Sequence, residues 1–320
     1  DRSSAASDVY KRQDYIWGGT RLRDEYGKKC DYDKVAESWE LSCHKDGPSV
    51  VADGEYKGLT LNEYIEKAGK GVLGKNCERF ENFPILIKLI DAKDNLSVQV
   101  HPDNDYAMRV EGEYGKTEMW YVVDCDEGAT LLYGFKHEIT KEEFARRIAD
   151  NTLLEVTNAV PVKKGDVFFI KSGTLHAIGK GILIAEIQQN SNTTYRIYDY
   201  GRVGKDGKPR ELHVNKALDV TKLAPAEQYP ETPVEKKDGY DIKLLSKCEY
   251  FTTYRVNVET KAELDADENS FNSILVLEGE PVISGGETVS AKKGESVFIS
   301  AGTGKYTVEG KCTFVLTKID

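Results

Sequence analysis

The 320-residue sequence predicts a mainly β protein, a sandwich or barrel with a helical insertion and a second, related β unit. Three observations carry that reading. Seven short runs rich in β-branched and aromatic residues succeed one another between Pro84 and Tyr200, separated by Gly, Asp and Lys turns. Helical periodicity is confined to three short stretches. A segment around Gly165 recurs around Gly294.

In chain order, Asp1 to Gln13 (DRSSAASDVYKRQ) has no initiator Met and no apolar period, and is expected to be an extraneous or disordered leader. Residues 14–222 form the first unit. Within it, Leu59 to Gly69 has the 3.6-residue period of a helix, as do Thr140 to Asp150 and Val214 to Ala224. Thr140 and Glu143 are spaced for a capping box. The seven strand runs are PILIKLID from Pro84, SVQVH from Ser97, EMWYVVD from Glu118, ATLLYGF from Ala129, DVFFI from Asp166, ILIAEIQ from Ile182 and TTYRIYDY from Thr193. Residues 223–239 are rich in Pro, Glu and Lys and read as a linker. Residues 240–320 are strand-rich again. KKGDVFFIKSGTLHAIG (Lys163 to Gly179) and KKGESVFISAGTGKYTVEG (Lys292 to Gly310) share one pattern, with Lys305 at the register of His176.

Composition narrows function. A net charge of -10 and a pI of about 5.2 exclude a general nucleic-acid binder, which needs a basic face. An anionic small substrate would need a locally basic pocket. No run approaches the roughly 18 apolar residues of a membrane span. Six scattered cysteines without a C-x-x-C pair predict reduced thiols in a cytoplasmic protein.

The chemistry concentrates in three segments. On a strand, residues i and i+2 share a face, so Gln99 and His101 point one way while Val98 and Val100 point the other. Pro102 ends the ladder, and Asp103 can cap a short helix after it. Glu118 opens the strand after the Gly115-Lys116-Thr117 turn, and His176 follows the Ser172-Gly173-Thr174 turn. Two imidazoles, a carboxylate and an amide oxygen make a mixed N/O site for a borderline divalent ion such as zinc.

The Gly165 to His176 spacing resembles the second cupin motif, with Lys171 where proline is usual. Together with QVH and KTEMWYV it resembles the type I phosphomannose isomerases in their short bacterial form. So do YIWGGTRL from Tyr15, the Glu37 to Leu61 segment, and the Ser172 to Arg202 segment. The resemblance runs from Tyr15 to Val220 and continues weakly beyond. It implies a cupin jelly-roll sandwich, with the second unit cupin-like and metal-free. It also implies interconversion of mannose 6-phosphate and fructose 6-phosphate with one zinc ion per chain, and no nucleic-acid or membrane partner. By residue it implies Gln99, His101, Glu118 and His176 as metal ligands and Arg196 as the active-site arginine. Lys116, two before Glu118, is expected to touch substrate. Glu186, an acid in an apolar run, is expected to line the pocket. Arg202 is expected to contact phosphate. Trp17 and Trp39 read as core or cavity wall, and His44, His137 and His213 as structural or surface residues.

Two positions depart from the pattern. Longer members have histidine before the lysine where this chain has Gly115, and many have aspartate where it has Asn192. The general base is left among Glu186, Lys116 and a zinc-bound water. A non-haem iron cupin oxygenase and a non-catalytic sugar-binding cupin are the competing readings. Gln99 and the Arg196 segment weigh against the first, and the retained ligand set against the second. Oligomeric state is not legible in the sequence.

Overall fold

A computed structural model describes residues 3–7, 9–11, 15–28 and 33–320. Apart from two short backbone strands, Ser3–Ser7 and Val9–Lys11, the expected leader lies outside these residues.

The seven β runs form strands and are dealt into two antiparallel sheets of a sandwich. One sheet orders Val167–Ile170, Glu118–Cys125, Ile182–Gln189, Ile85–Ala92, Glu37–Leu41 and Val9–Lys11. The other orders Tyr195–Tyr198, Val98–Val100, His176–Ala177, Thr130–Phe135 and Thr157–Pro161. Ile85–Ala92 and Ile182–Gln189 are buried along their whole length. They lie mid-sheet with both faces covered, which is why their sequences are almost continuously apolar. On the second sheet, Val98 and Val100 pack outward with Phe135, Phe144 and Ile197. The helices Lys141–Ala149 and Val214–Val220 cover that face. Gln99 and His101 are thereby turned to the interior.

Helix Leu61–Ala68 carries the full capping box: Glu63 N donates to Thr60 Oγ1 and Thr60 N to Glu63 Oε1, both at 3.2 Å. At Thr140 only half of the expected box forms. Thr140 Oγ1 accepts from Glu143 N at 3.1 Å, while the Glu143 carboxylate takes Arg147 Nε at 3.1 Å. A charged donor one turn on outcompetes the backbone amide.

The second unit has a four-stranded sheet and most of an eight-stranded one, whose last two strands are Ser3–Ser7 and Val50–Val51, around its own core of Val256, Ile274, Tyr306 and Phe314. The sequence repeat is a structural repeat. Gly165 and Gly294 both adopt the left-handed φ of the turn, 91° and 87°. Lys163 N donates to Asp166 Oδ2 at 2.9 Å, and Lys292 N to Glu295 Oε2 at 3.0 Å. Lys305, in the histidine register, points to solvent and lies 3.3 Å from Glu263.

The helical insertion joins the units. Leu61, Tyr64 and Phe83 share one core with Phe271, Phe298 and Ile319, and Tyr64 OH meets Ser300 Oγ at 2.9 Å. Residues 223–233 carry no helix, and Val234–Lys236 adds as an exposed edge strand. The five described cysteines are unpaired thiols, Cys30 lying outside the described residues. No helix among the described residues is long and apolar enough to cross a membrane.

Candidate metal centre and active-site cavity

Strand register sets two rows of side chains face to face across the sandwich. On the five-stranded sheet Gln99 lies opposite His176 on one side and Arg196 on the other. On the six-stranded sheet a second row runs Trp120, Glu186, Lys88, Trp39, each directly opposite the next. A cavity of about 250 Å³ opens between the rows.

At its inner end His101, Glu118 and His176 bring one donor atom each within 4.8 Å of one another, all buried. His101 Nδ1 faces Thr193 O at 3.1 Å and His176 Nδ1 faces Thr174 O at 2.8 Å. A carbonyl only accepts, so both rings carry their proton on Nδ1. Both Nε2 lone pairs then point inward, 3.0 Å apart. The Glu118 oxygens lie 3.3 Å from His176 Nε2 and 3.4 Å from His101 Nε2. Glu118 Oε2 is buried without a hydrogen-bond donor. Converging lone pairs and a carboxylate without a donor fit a cation. Burial lowers both imidazoles, that of His101 to about 3, so neither ring holds the second proton that would block ligation. Burial opposes charge on Glu118, but the Lys116 ammonium 3.7 Å away helps hold its carboxyl well below the usual range.

Lys116 is buried, its Nζ 3.7 Å from Glu118 Oε2 and on the cavity wall. Burial opposes its charge, yet Glu118, Glu186 and Glu37 raise its pKa. Glu186 accepts from Trp120 Nε1 at 2.7 Å and lies 3.9 Å from Lys88 Nζ, which sits 3.8 Å from Glu37. Burial, with Glu118 adding, pushes Glu186 up to about 7 against Lys116 and Lys88. Lys88 and Glu37 line the cavity and escaped the sequence reading. The signal for Lys88 was present: it is a lone charge in ILIKLID, as Glu186 is in ILIAEIQ.

Arg196 lines the cavity, half-buried, with a Nε atom that has no hydrogen-bond partner. His213 holds its backbone from both sides: Arg196 N donates to His213 Nδ1 at 3.1 Å and His213 N to Arg196 O at 2.8 Å. Arg202 is not on the cavity wall. Its guanidinium bonds to Asp199 Oδ1 at 2.6 Å and to Asn95 O at 2.5 Å. Asp199 also takes Arg210 in a bidentate pair at 2.7 and 2.9 Å, and it is Arg210 that reaches the cavity. Nothing in the sequence distinguishes Arg210 from other loop cations. Trp17 lines the cavity and Trp39 is fully buried. His44 is buried 2.6 Å from Glu113, whose carboxylate also accepts from Asn192 N, and His137 caps nothing in the site.

A family model for the catalytic domain of phosphomannose isomerase type I matches residues 9–128, and one for the mannose-6-phosphate isomerase cupin domain matches residues 241–319. The mannose-6-phosphate isomerase ManA of Bacillus subtilis is 39% identical over 97% of this chain and 97% of its own. The chain belongs to the type I phosphomannose isomerases. Accordingly, the crystal structure of mannose 6-phosphate isomerase from Bacillus subtilis superposes with a TM-score of 0.92 at 37% identity, over 99% of each chain. A mannose 6-phosphate isomerase solved in its zinc-bound holo form shares the fold, with a TM-score of 0.78 at 17% identity over 99% of each chain. In this phosphomannose isomerase the cupin architecture is that implied by the sequence resemblance, and His101, Glu118 and His176 form a group suited to bind a metal.

Proposed function

We propose that the enzyme interconverts mannose 6-phosphate and fructose 6-phosphate by moving a proton between C1 and C2. One zinc ion per chain would be held by Gln99, His101, Glu118 and His176. The observation that carries the metal assignment is the pair of inward-facing Nε2 atoms 3.0 Å apart, beside a Glu118 oxygen without a donor. Four borderline N/O donors suit zinc. Its chemistry, when bound, is that of a Lewis acid toward sugar oxygens.

The chain's own residues supply the rest. Glu186, across the cavity, takes the C2 proton of the open-chain aldose and returns it at C1, while the hydroxyl proton of O2 passes to O1. The Lys116 ammonium faces the sugar oxygens and stabilises the charge that develops on them. Arg196, with its free Nε, and Arg210 bind the phosphate, for which a planar guanidinium is well matched. Arg202 acts indirectly, holding Asp199 and through it Arg210. These cations make a locally basic pocket in a chain of net charge -10.

The test is conversion of fructose 6-phosphate to mannose 6-phosphate before and after chelation, with zinc added back. Loss on chelation and recovery with zinc are expected. No turnover in the zinc-loaded protein overturns the isomerase reading. Full turnover with full zinc content in His101→Ala overturns the ligand assignment.

A further inference from the structure

The second unit meets the turn that carries Lys116 through a chain of hydrogen bonds. Three successive backbone N–H groups around Lys116 are each anchored. Gly115 N donates to Asn104 Oδ1 at 2.9 Å, Lys116 N to Pro102 O at 3.0 Å, and Thr117 N to Gln189 Oε1 at 2.9 Å. The two side-chain anchors are themselves joined, Gln189 Nε2 donating to Asn104 Oδ1 at 2.8 Å. Asn104 Oδ1 therefore accepts twice, and its amide nitrogen must face the other way. There it donates to Tyr250 OH at 2.9 Å. Tyr250 belongs to the second unit, in the hairpin between Tyr240–Lys247 and Thr252–Val258. That hairpin is closed by Cys248 N to Phe251 O at 2.9 Å and tied to the first unit by Arg79 donating to Glu249 O at 2.7 Å.

We infer that Tyr250, Asn104 and Gln189 are positioning residues, a relay by which the second unit fixes the Lys116 turn against the His101, Glu118 and His176 cluster. The inference rests on the reading of Lys116 as a substrate contact. The orientation of the Asn104 amide is the critical element. Turned over, it would present NH₂ to two donors, the Gly115 amide and the Gln189 amide, and lose both bonds. The Gly115 and Gln189 donors set that orientation, and the Tyr250 hydroxyl accepts from the amide nitrogen so placed and tethers it to the second unit. Lys116 is buried and its ammonium sits 3.7 Å from Glu118, so a small drift of its backbone displaces a charge within the cavity. Reaction rates are sensitive to displacements of that size.

The experiment uses the full-length, zinc-loaded enzyme. Tyr250→Phe removes one hydroxyl and keeps the ring. Expected are a loss in kcat of about fivefold to tenfold, the scale of one hydrogen bond, and a rise of similar size in amide exchange over residues 115–117. Zinc content stays at its wild-type value, and the melting temperature falls by no more than about 2 °C. Asn104→Ala loses more, and Tyr250→Phe adds nothing on top of it, because both cut one path. Should Asn104→Ala fail to fold, kcat and exchange in Tyr250→Phe decide the inference by themselves. Wild-type kcat and wild-type exchange in Tyr250→Phe overturn the inference, and so do multiplying losses in the double variant. Lys116→Ala separates the two readings. If it turns over at the wild-type rate, the substrate-contact reading fails, while exchange at residues 115–117 in Tyr250→Phe still decides the relay.

Discussion

Gly115→Ala adds one methyl group to the turn that presents Lys116. The new Cβ would lie 2.5 Å from Asp103 C, 2.6 Å from Asn104 N and 2.8 Å from Pro102 O. All three are backbone atoms and cannot rotate away, so the turn must retreat by about an ångström to reach ordinary van der Waals contact. Overpacking of this kind costs about 1–3 kcal/mol. The retreat also moves Lys116, and a displacement on that scale lowers kcat/KM by about a hundredfold. Urea unfolding reads the first effect and steady-state isomerisation the second. Gly71→Ala is the matched control: nothing lies within 4 Å of its added Cβ, and it sits in the turn Lys70–Leu73. That variant is expected to be neutral or stabilised by about 0.4–1 kcal/mol. Wild-type stability and wild-type kcat/KM in Gly115→Ala would refute the reasoning. The same contacts explain why this chain has no histidine here, since Gly115→His would add the same Cβ and a ring besides.

Two further predictions concern the acid row and the repeat. If Glu186 is the base, kcat/KM declines on the acid side as its carboxylate takes a proton. Burial and Glu118 raise that carboxyl to about 7, and a cation bound at Glu118 offsets the second effect, so the limb lies below 7 in the loaded enzyme. Glu186→Gln should remove most of the activity and the limb together; an unchanged limb in that variant excludes Glu186. In the metal-free protein the folded state binds the extra proton between the ordinary carboxyl range and about 7, so the Glu186 contribution to stability falls as pH rises through that window. Lys305→His puts histidine back in the second unit's register, but at a solvent-facing position beside Glu263. Elemental analysis should find no additional zinc per chain, and an added equivalent would show that the register alone makes the site.

The sandwich was legible because its strands obey local rules. Ile85–Ala92 and Ile182–Gln189 advertise two-sided burial, and alternation in Val98–Val100 separates Gln99 and His101 from their valine neighbours. The donor cluster was legible for the same reason, each of its members standing beside a turn. The acid row was only half visible. Glu186 and Lys88 are equally anomalous in their apolar runs, but that they stand opposite one another depends on register between strands almost a hundred residues apart. Arg210 and His213 lie in a loop and at a helix start, where sequence pattern carries no direction. Thr140 and Thr60 show the limit of a local motif. Both have glutamate three residues on, and a neighbouring Arg147 decides which glutamate is free to close the box.

The three clustered donors straddle the two layers: Glu118 stands on the six-stranded sheet, and His101 and His176 on the five-stranded one. Neither layer can capture an ion alone. A cation held between them would tie Glu118 of one layer to His101 and His176 of the other, whose Nε2 atoms lie 3.4 and 3.3 Å from its carboxylate oxygens. Loss of such an ion would undo the tie between the layers and leave each sheet's own hydrogen-bond ladder whole.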